Sequence, residues 1–461
     1  MRPSSDGNLI GWLRSRRLGR LQLVGLASAS GFATAMIIVA ATSPTSTQSA
    51  VLAALQHRRV LVHTVDAPAA PTRAVGGGSS AAAGGSTAAT DTSTGTTSSV
   101  APTSSSAPTS ATTTTATNTS SAISTNASTT STTAAPAVAG ATSESYKVKH
   151  VFVIALSTTS YHATFGRGSV AHYLNGALVP RGTLLTDYRT LARAELPDYL
   201  AMISGQAPNR DTREGCPTYA EFPQGATPNA AGLVHGPGCV YPNTVLTIGD
   251  QVTSSGHTWK AYIADMGSST CLHPNAGADD HARLPFAGQQ YDTGHNPFIY
   301  FHSLLDLGDC SSDDESLDQL AGDLRVRSRT PSYAFIAPGG CDDATQTTCP
   351  DGKRGGLAGE DAFLRLWVPR ILRAPAYRQS GALIIVFTHA GAATGGHANM
   401  PVRAGALVLS QYALAHHSLA GDYNPYSLLR SIEDLLGFTP LGHAQGAPSF
   451  ASASLPGAVD K

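Results

Sequence analysis

Short polar segments follow three apolar runs in the C-terminal part of this 461-residue chain. They are Ser157 and Thr158, Asp342 and Asp343, and Thr388 and His389. The preceding runs, at 150–156, 332–337 and 383–387, are too short for buried helices and predict strands covered on both faces. Because ligands of open parallel sheets bind at the carboxyl ends of the strands, we expect these hydroxyls, carboxylates and imidazole to lie near one site.

Strand and helix patterns alternate around these runs. Further strands are predicted at 258–263 and 406–409, and helices at 196–203, 244–252, 361–372 with an interruption at Pro369, and 427–436. This alternation predicts an α/β fold with a mostly parallel central sheet and helices on both faces. No aromatic residue occurs between Phe32 and Tyr146, so the core must lie within 146–461. A formal net charge of −1 argues against a nucleic-acid binder.

Seven sequence blocks, taken in order, resemble the bacterial phosphoesterase family, which includes secreted acid phosphatases and phospholipase C-like enzymes. They lie at 150–166, 196–205, 247–263, 291–301, 361–377, 381–387 and 426–444. The first reads HVFVIALSTTSYHATFG and the fourth YDTGHNPFIYF. The resemblance implies an alkaline-phosphatase-like three-layer sandwich. It also implies a site where a hydroxyl nucleophile and a divalent metal act on a phosphate ester.

The positions that carry this chemistry in active family members are substituted here. Ser157 and Thr158 stand where members have Glu-Asn, and Thr388 and His389 where they have Asp-Glu. Arg193, Glu195 and Asp198 replace a His, the Ser or Thr nucleophile and an Asn, while Thr345 and Pro425 each replace a His. His295 is the one polar pocket residue that matches. Since neutral hydroxyls do not hold a dication as carboxylates do, we interpret the pattern as a shortage of negative oxygen donors.

Two functions are consistent with this pattern. The first is an exported phosphoesterase-family domain, catalytically impaired or inactive, that needs no cofactor and binds a phosphate ester, lipid headgroup or glycan at the cell surface. The alternative is an active phosphoesterase with a rearranged site that uses a divalent metal. Its candidate ligands are Glu195, Asp198, His389 and His397, with His162 nearby.

Non-catalytic interpretations of the acidic residues are also consistent with the sequence. Glu195 could simply place negative charge at the N-terminus of the helix that begins at Leu196. The acidic segments 342–343 and 311–315 could be calcium ligands, but a solvated loop and a helix N-terminus are the simpler interpretations.

The N-terminal region indicates export. Basic residues up to Arg20 precede an uncharged apolar stretch at 21–42, which predicts a signal anchor or a signal peptide. The basic segment 1–20 would stay in the cytoplasm, and an uncleaved anchor would hold the chain in the membrane. Segment 43–145 is rich in Ser, Thr and Ala and predicts a disordered linker, followed by the α/β domain at 146–461.

All six cysteines fall within the predicted domain, and their even number predicts three disulfides in an oxidising compartment. Pairing of sequence neighbours is the simplest of the possible connectivities. It joins Cys216 to Cys239, Cys271 to Cys310, and Cys341 to Cys349.

Overall fold

The computed structural model describes residues 145–282, 291–349, 352–389 and 400–460. The predicted anchor at 21–42, the linker at 43–145 up to residue 144, and His397 lie outside these ranges. Within them, no helix combines the length and the apolar character needed to cross a membrane.

Eight strands of the described residues form one sheet. They are β1 (His150–Thr158), β2 (Thr183–Leu185), β3 (Trp259–Ile263), β4 (Asp314–Ser316), β5 (Tyr333–Ala337), β6 (Gly381–His389), β7 (Ala406–Ser410) and β8 (His417–Leu419). Their order is β4-β3-β5-β1-β6-β7-β2-β8. Only β7 runs antiparallel to its neighbours, β6 and β2, so the prediction of a mostly parallel sheet is confirmed.

Eleven α-helices lie in the described ranges. They are α1 (Tyr161–Phe165), α2 (Leu196–Ser204), α3 (Arg210–Arg213), α4 (Ile248–Ser254), α5 (His302–Leu305), α6 (Asp309–Asp313), α7 (Leu320–Asp323), α8 (Gly356–Arg373), α9 (Pro375–Ser380), α10 (Pro425–Leu436) and α11 (Ala451–Ser454). The four predicted helices correspond to α2, α4, α8 and α10.

The central strand β1 divides the interior into two cores. Val151 and Val153 point into one core, which also contains buried residues of α2, α4 and α10. Phe152 and Ile154 point into the other, with buried residues of α7 and α8. Since successive side chains of a strand face opposite sides, a continuous apolar run is what a doubly covered strand requires. The fold is therefore a helix–sheet–helix sandwich.

Two local predictions are wrong. Helix α8 continues through Pro369 instead of breaking there. Arg365, whose carbonyl loses its partner at that proline, is exposed, so water can satisfy it. Segment 311–315 is not a solvated helix N-terminus, because it ends α6 and enters strand β4, where Asp314 is fully buried.

The three predicted disulfides are confirmed. Cys216 pairs with Cys239, Cys271 with Cys310, and Cys341 with Cys349. They are consistent with an extracellular or exported protein.

Candidate functional site

Glu195 lies at the N-terminus of α2, over the carboxyl ends of β1 and β6. It occupies the N-cap position, but its side chain makes no capping hydrogen bond. The carboxylate instead turns toward Ser157 on β1 and Thr388 on β6. Charge at the helix end therefore does not account for where this side chain points.

Two hydroxyl groups hold one oxygen of Glu195. Ser157 and Thr388 are register partners on adjacent parallel strands, and their hydroxyl oxygens are 3.0 Å apart. Thr388 Oγ1 lies 2.8 Å from Glu195 Oε1, and Ser157 Oγ donates to the same oxygen. The strand ends thus supply donors, and the segment before α2 supplies the acceptor.

His295 holds the other oxygen of Glu195 and connects it to two further carboxylates. Its Nε2 lies 3.1 Å from Glu195 Oε2 and 3.9 Å from Asp292 Oδ2. Its Nδ1 forms an ion pair with Asp343 Oδ2 at 3.0 Å. Tyr199 stacks on the ring with centroids 5.2 Å apart. Because both ring nitrogens face carboxylate oxygens, the arrangement favours the imidazolium, which carries a proton on each nitrogen.

Local hydrogen bonds fix both of these aspartates. Asp343, in the loop after β5, accepts from the backbone N–H of Thr345 at 2.9 Å and from its hydroxyl at 2.7 Å. The carbonyl of Asp343 accepts from the backbone N–H of Ser157 at 3.0 Å, which ties the loop to β1. Asp292 accepts from the backbone N–H of Gly294 at 2.7 Å. Thr345, a predicted substitution site, therefore positions a carboxylate.

Burial and charge act in opposite directions on these groups. Burial alone would raise the pKa of Glu195, but the positive charge of His295 and three hydrogen bonds lower it. Burial would lower the pKa of His295, but Asp292, Asp343 and Glu195 raise it well above its ordinary value. Burial raises the pKa of Asp292 to about 7 and that of Asp343 to about 6 despite the opposing charge of His295. Glu195 is thus ionised, whereas Asp292 and Asp343 gain or lose their protons near neutral pH.

Two predicted positions frame the site without joining the cluster. His389 Nδ1 lies 3.2 Å from the carbonyl oxygen of Arg193, and burial and the Arg193 charge lower the pKa of His389. Asp198 is fully buried and accepts from the backbone N–H of Leu191 at 2.6 Å. Burial raises the pKa of Asp198 well above its ordinary value, which favours the neutral acid, and the group holds the segment before α2 through the Leu191 N–H.

The other predicted positions have local roles. The Thr158 hydroxyl bonds with Thr164 Oγ1 at 2.6 Å and with the Ser160 carbonyl, next to α1. Pro425 is the first residue of α10, a position where its missing N–H costs little. His162 is exposed on α1.

The expected shortage of negative oxygen donors is wrong. Glu195, Asp292 and Asp343 surround His295, and Asp343 is fully buried, not part of a solvated loop. The sequence argument missed Asp292, although its place three residues before His295 was a usable signal. It also missed Glu360 of α8, a buried carboxylate whose two oxygens have no hydrogen-bond partner among the described residues.

These residues do not fit a divalent metal of the kind the family resemblance implies. The carboxylates lie on opposite edges of the imidazole ring, with Asp343 at Nδ1 and the others at Nε2, so they do not converge on one point with a ring nitrogen. Within the described ranges, one group of three has ligand atoms within 4.8 Å of one another, namely Cys271, Cys310 and Asp314. Its two cysteines are joined in a disulfide.

No protein-family model and no curated protein sequence matches the chain. Solved structures are similar in part. A sulfatase from Pseudoalteromonas sp. is 11% identical, with 68% of this chain and 74% of that chain covered and a TM-score of 0.38. An alkaline phosphatase superfamily protein from Vibrio parahaemolyticus is 12% identical, with 66% and 72% covered and a TM-score of 0.38. A lipoteichoic acid synthase from Listeria monocytogenes is 8% identical, with 63% and 72% covered and a TM-score of 0.38. At these values the likenesses identify no reaction.

Proposed function

We propose that residues 146–461 form a non-catalytic, phosphoesterase-like domain that binds a hydroxyl-rich ligand, a glycan, at the cell surface. In this proposal segment 21–42 anchors or exports the chain, 1–20 stays in the cytoplasm, and 43–145 is a spacer. The observation that supports it is the set of contacts made by the Glu195 carboxylate. A carboxylate stands at the nucleophile position of the family pattern, and both of its oxygens are engaged by Ser157, Thr388 and His295.

The charge of the site favours a neutral ligand over a phosphate ester. Three carboxylates surround one imidazolium, so an approaching phosphate dianion meets net negative charge. Glycan hydroxyls, in contrast, donate hydrogen bonds to a carboxylate without adding charge. The side chain of Glu195 is 16% exposed, against 12% for Asp292 and 3% for His295, so Glu195 is the most exposed member of the cluster.

A second candidate is a hydrolase that uses Glu195 as its nucleophile. Its substrate would be a lipid headgroup or another phosphate ester. The same exposure favours it, because an ionised and reachable carboxylate can attack phosphorus and form an acyl phosphate. The contacts of Glu195 oppose it, because each lone pair used in a hydrogen bond is less available for attack.

The two candidates are separated with the purified full-length protein. An aryl phosphate, an aryl phosphodiester and an aryl sulfate are each tested for turnover with Mg²⁺, Mn²⁺, Zn²⁺ or Ca²⁺. A panel of neutral and phosphorylated oligosaccharides is tested for binding in parallel. We expect no turnover above background and binding of neutral oligosaccharides that weakens at least about tenfold in Glu195→Gln, the loss of one charge-assisted hydrogen bond.

A matched control is Glu214→Gln, an exposed carboxylate beside Arg210 on the surface. Turnover that disappears in Glu195→Gln and persists in the control would contradict the binding proposal and establish the hydrolase.

A five-residue variant, Ser157→Glu, Thr158→Asn, Glu195→Ser, Thr388→Asp and His389→Glu, tests the scaffold. Metal-dependent turnover in that variant alone would show that the fold still supports the chemistry that the natural residues lack.

A further inference from the structure

The Cys271–Cys310 disulfide joins one partly exposed and one fully buried cysteine. Cys310 is fully buried, whereas Cys271 is only partly buried at the edge of the core. A thiol–disulfide exchange needs access to one sulfur and a stabilised leaving thiolate at the other. Cys216 and Cys239, in contrast, are both fully buried.

A buried carboxyl group lies against the sulfur of the fully buried cysteine. Asp314 Oδ2 is 3.8 Å from Cys310 Sγ, and both sulfurs and this carboxyl lie within 4.8 Å of one another. Asp314 Oδ1 is buried and has no hydrogen-bond partner among the described residues. The backbone N–H of Cys271 donates to the carbonyl of Asp314 at 3.0 Å, which fixes β4 beside the disulfide.

We propose that Cys271–Cys310 is a thiol–disulfide exchange site at which Asp314 protonates the leaving Cys310 thiolate. The co-reactant is an external dithiol, such as a dithiol oxidoreductase. The inference does not depend on whether the Glu195 site binds or hydrolyses its ligand.

The chemical step balances as follows. A thiolate of the dithiol forms a bond with Cys271 Sγ while the Cys271–Cys310 bond breaks. The electron pair of the broken bond stays on Cys310 Sγ, which takes the proton of Asp314. The second thiol of the reductant then attacks the reductant's own sulfur in the mixed disulfide, and the bond to Cys271 Sγ breaks. Cys271 Sγ keeps the electron pair and takes the proton that this thiol releases, so the protein has two thiols and the reductant a disulfide. Asp314 regains its proton from solvent.

Groups around Asp314 suit it to hold a proton near neutral pH. Burial raises the pKa of Asp314 to about 8, although a hydrogen bond from Asn296 Nδ2 at 2.7 Å lowers it. The charged and titratable neighbours that face it are Glu315, which raises it further, and the Tyr291 hydroxyl. A thiolate left in this apolar pocket without a proton would be strongly disfavoured.

The same aspartate connects the disulfide to the Glu195 site. Asn296, which donates to Asp314, directly follows His295 in the chain, and it also lies 3.2 Å from the Tyr291 hydroxyl. Reduction changes what Asp314 contacts and thereby the support of the turn that carries His295. We therefore expect the ring NMR resonances of His295 to shift when this disulfide is reduced, and unchanged resonances would overturn this link.

The test is reduction of the folded full-length protein by dithiothreitol, with alkylation and mass spectrometry to follow each disulfide. We expect Cys271–Cys310 to open while Cys216–Cys239 stays closed. In Asp314→Asn, opening should slow about 100-fold, the lower end of general-acid contributions. Asp280→Asn is the matched control, since Asp280 is a buried acid that bonds Thr293 in the same region, at 2.6 Å, and makes no sulfur contact among the described residues. The Cys341–Cys349 disulfide is a second control, and its Cys341 sulfur lies near an amide oxygen of Gln346. It should open at the same rate in wild type, Asp314→Asn and Asp280→Asn.

A second measurement needs no variant. The opening rate, divided by the thiolate fraction of the reductant, should fall as the pH rises through about 8, because Asp314 then loses the proton that it donates. A corrected rate that is flat with pH, equal rates in wild type and Asp314→Asn, or opening only after global unfolding would each overturn the proposal.

Discussion

Replacement of His295 by Gln tests the charge balance of the site. Glutamine keeps a polar side chain but carries no charge, so Glu195, Asp292 and Asp343 lose their common cation. Removing one partner of a buried ion pair costs about 3–5 kcal/mol of unfolding free energy. Loss of stacking on Tyr199 adds about 0.5–1.5 kcal/mol. We therefore expect a loss of about 3.5–6.5 kcal/mol at pH 8, measured by urea unfolding.

The pH dependence separates charge from packing. Folding of wild type takes up a proton on His295 only above its ordinary pKa of 6.5, whereas folding of the variant takes up protons on Glu195, Asp292 and Asp343 across the range from pH 5 to 8. The stability of the variant therefore falls more steeply as the pH rises. At pH 5 protonation of Asp292 and Asp343 relieves the repulsion, and we expect a loss of only about 1–2 kcal/mol, near the packing contribution. The control is His302→Gln, an exposed pair with Asp306 and Glu221, which should cost less than about 1 kcal/mol at both values. A His295→Gln loss below about 1 kcal/mol at pH 8, or one equal at pH 5 and 8, would refute the imidazolium.

Three further predictions address neighbouring groups. Asp198→Asn should cost less than about 1 kcal/mol in urea unfolding, because a neutral acid is replaced by its near-isostere, whereas Asp198→Ala should cost about 1–3 kcal/mol by stranding the Leu191 N–H. An equal cost for both variants would show that the group is charged. Thr388→Val should cost about 1–3 kcal/mol and raise the pKa of the site's glutamate in NMR titration, since it removes a donor to that carboxylate; an unchanged pKa would contradict the contact. Because the pKa values of Asp292 and Asp343 are raised, the folded state binds more protons than the unfolded state between about pH 4 and 7, so their contribution to stability falls as the pH rises through that window. We expect the urea midpoint of wild type, relative to that of Asp292→Asn, to be lower at pH 7.5 than at pH 5. A higher relative midpoint at pH 7.5 would contradict the raised pKa values.

The sequence predicted the central strands well because their signal is local. β1 and β6 are continuous apolar runs, and burial on both faces leaves few alternatives for such segments. The short strands β2, β4 and β8 have three residues each and were not predicted, since they pair only with strands from distant parts of the chain. The predicted interruption at Pro369 is wrong for a related reason, because tertiary packing of α8 outweighs the loss of one backbone hydrogen bond.

The sequence located the positions of the site better than their roles. Glu195, Thr388 and His295 were identified from their places after strands or in a family-like block, and the structure brings these three together. What could not be predicted is which carboxylates face the imidazole. Asp292 and Asp343 reach it from separate loops, and no spacing along the chain encodes that convergence.

Relative to the phosphoesterase pattern that the sequence resembles, the site differs by an exchange of donors and acceptors. The strand ends carry hydroxyls in place of that pattern's carboxylates, and the segment before α2 carries Glu195 in place of its hydroxyl. His295 supplies the cation from within the chain. A dication would have to displace a buried proton and find oxygens that lie on opposite sides of a ring. A dianion would add negative charge where burial, and to a smaller extent the charge of Glu195, already raise the pKa of two aspartates. A single substitution such as Glu195→Ser does not produce the arrangement of that pattern, because it removes a partner of His295 and leaves the hydroxyls of the strand ends without their acceptor. Only a simultaneous change at both strand ends and at Glu195 moves carboxylates to the strand ends and a hydroxyl to the segment before α2.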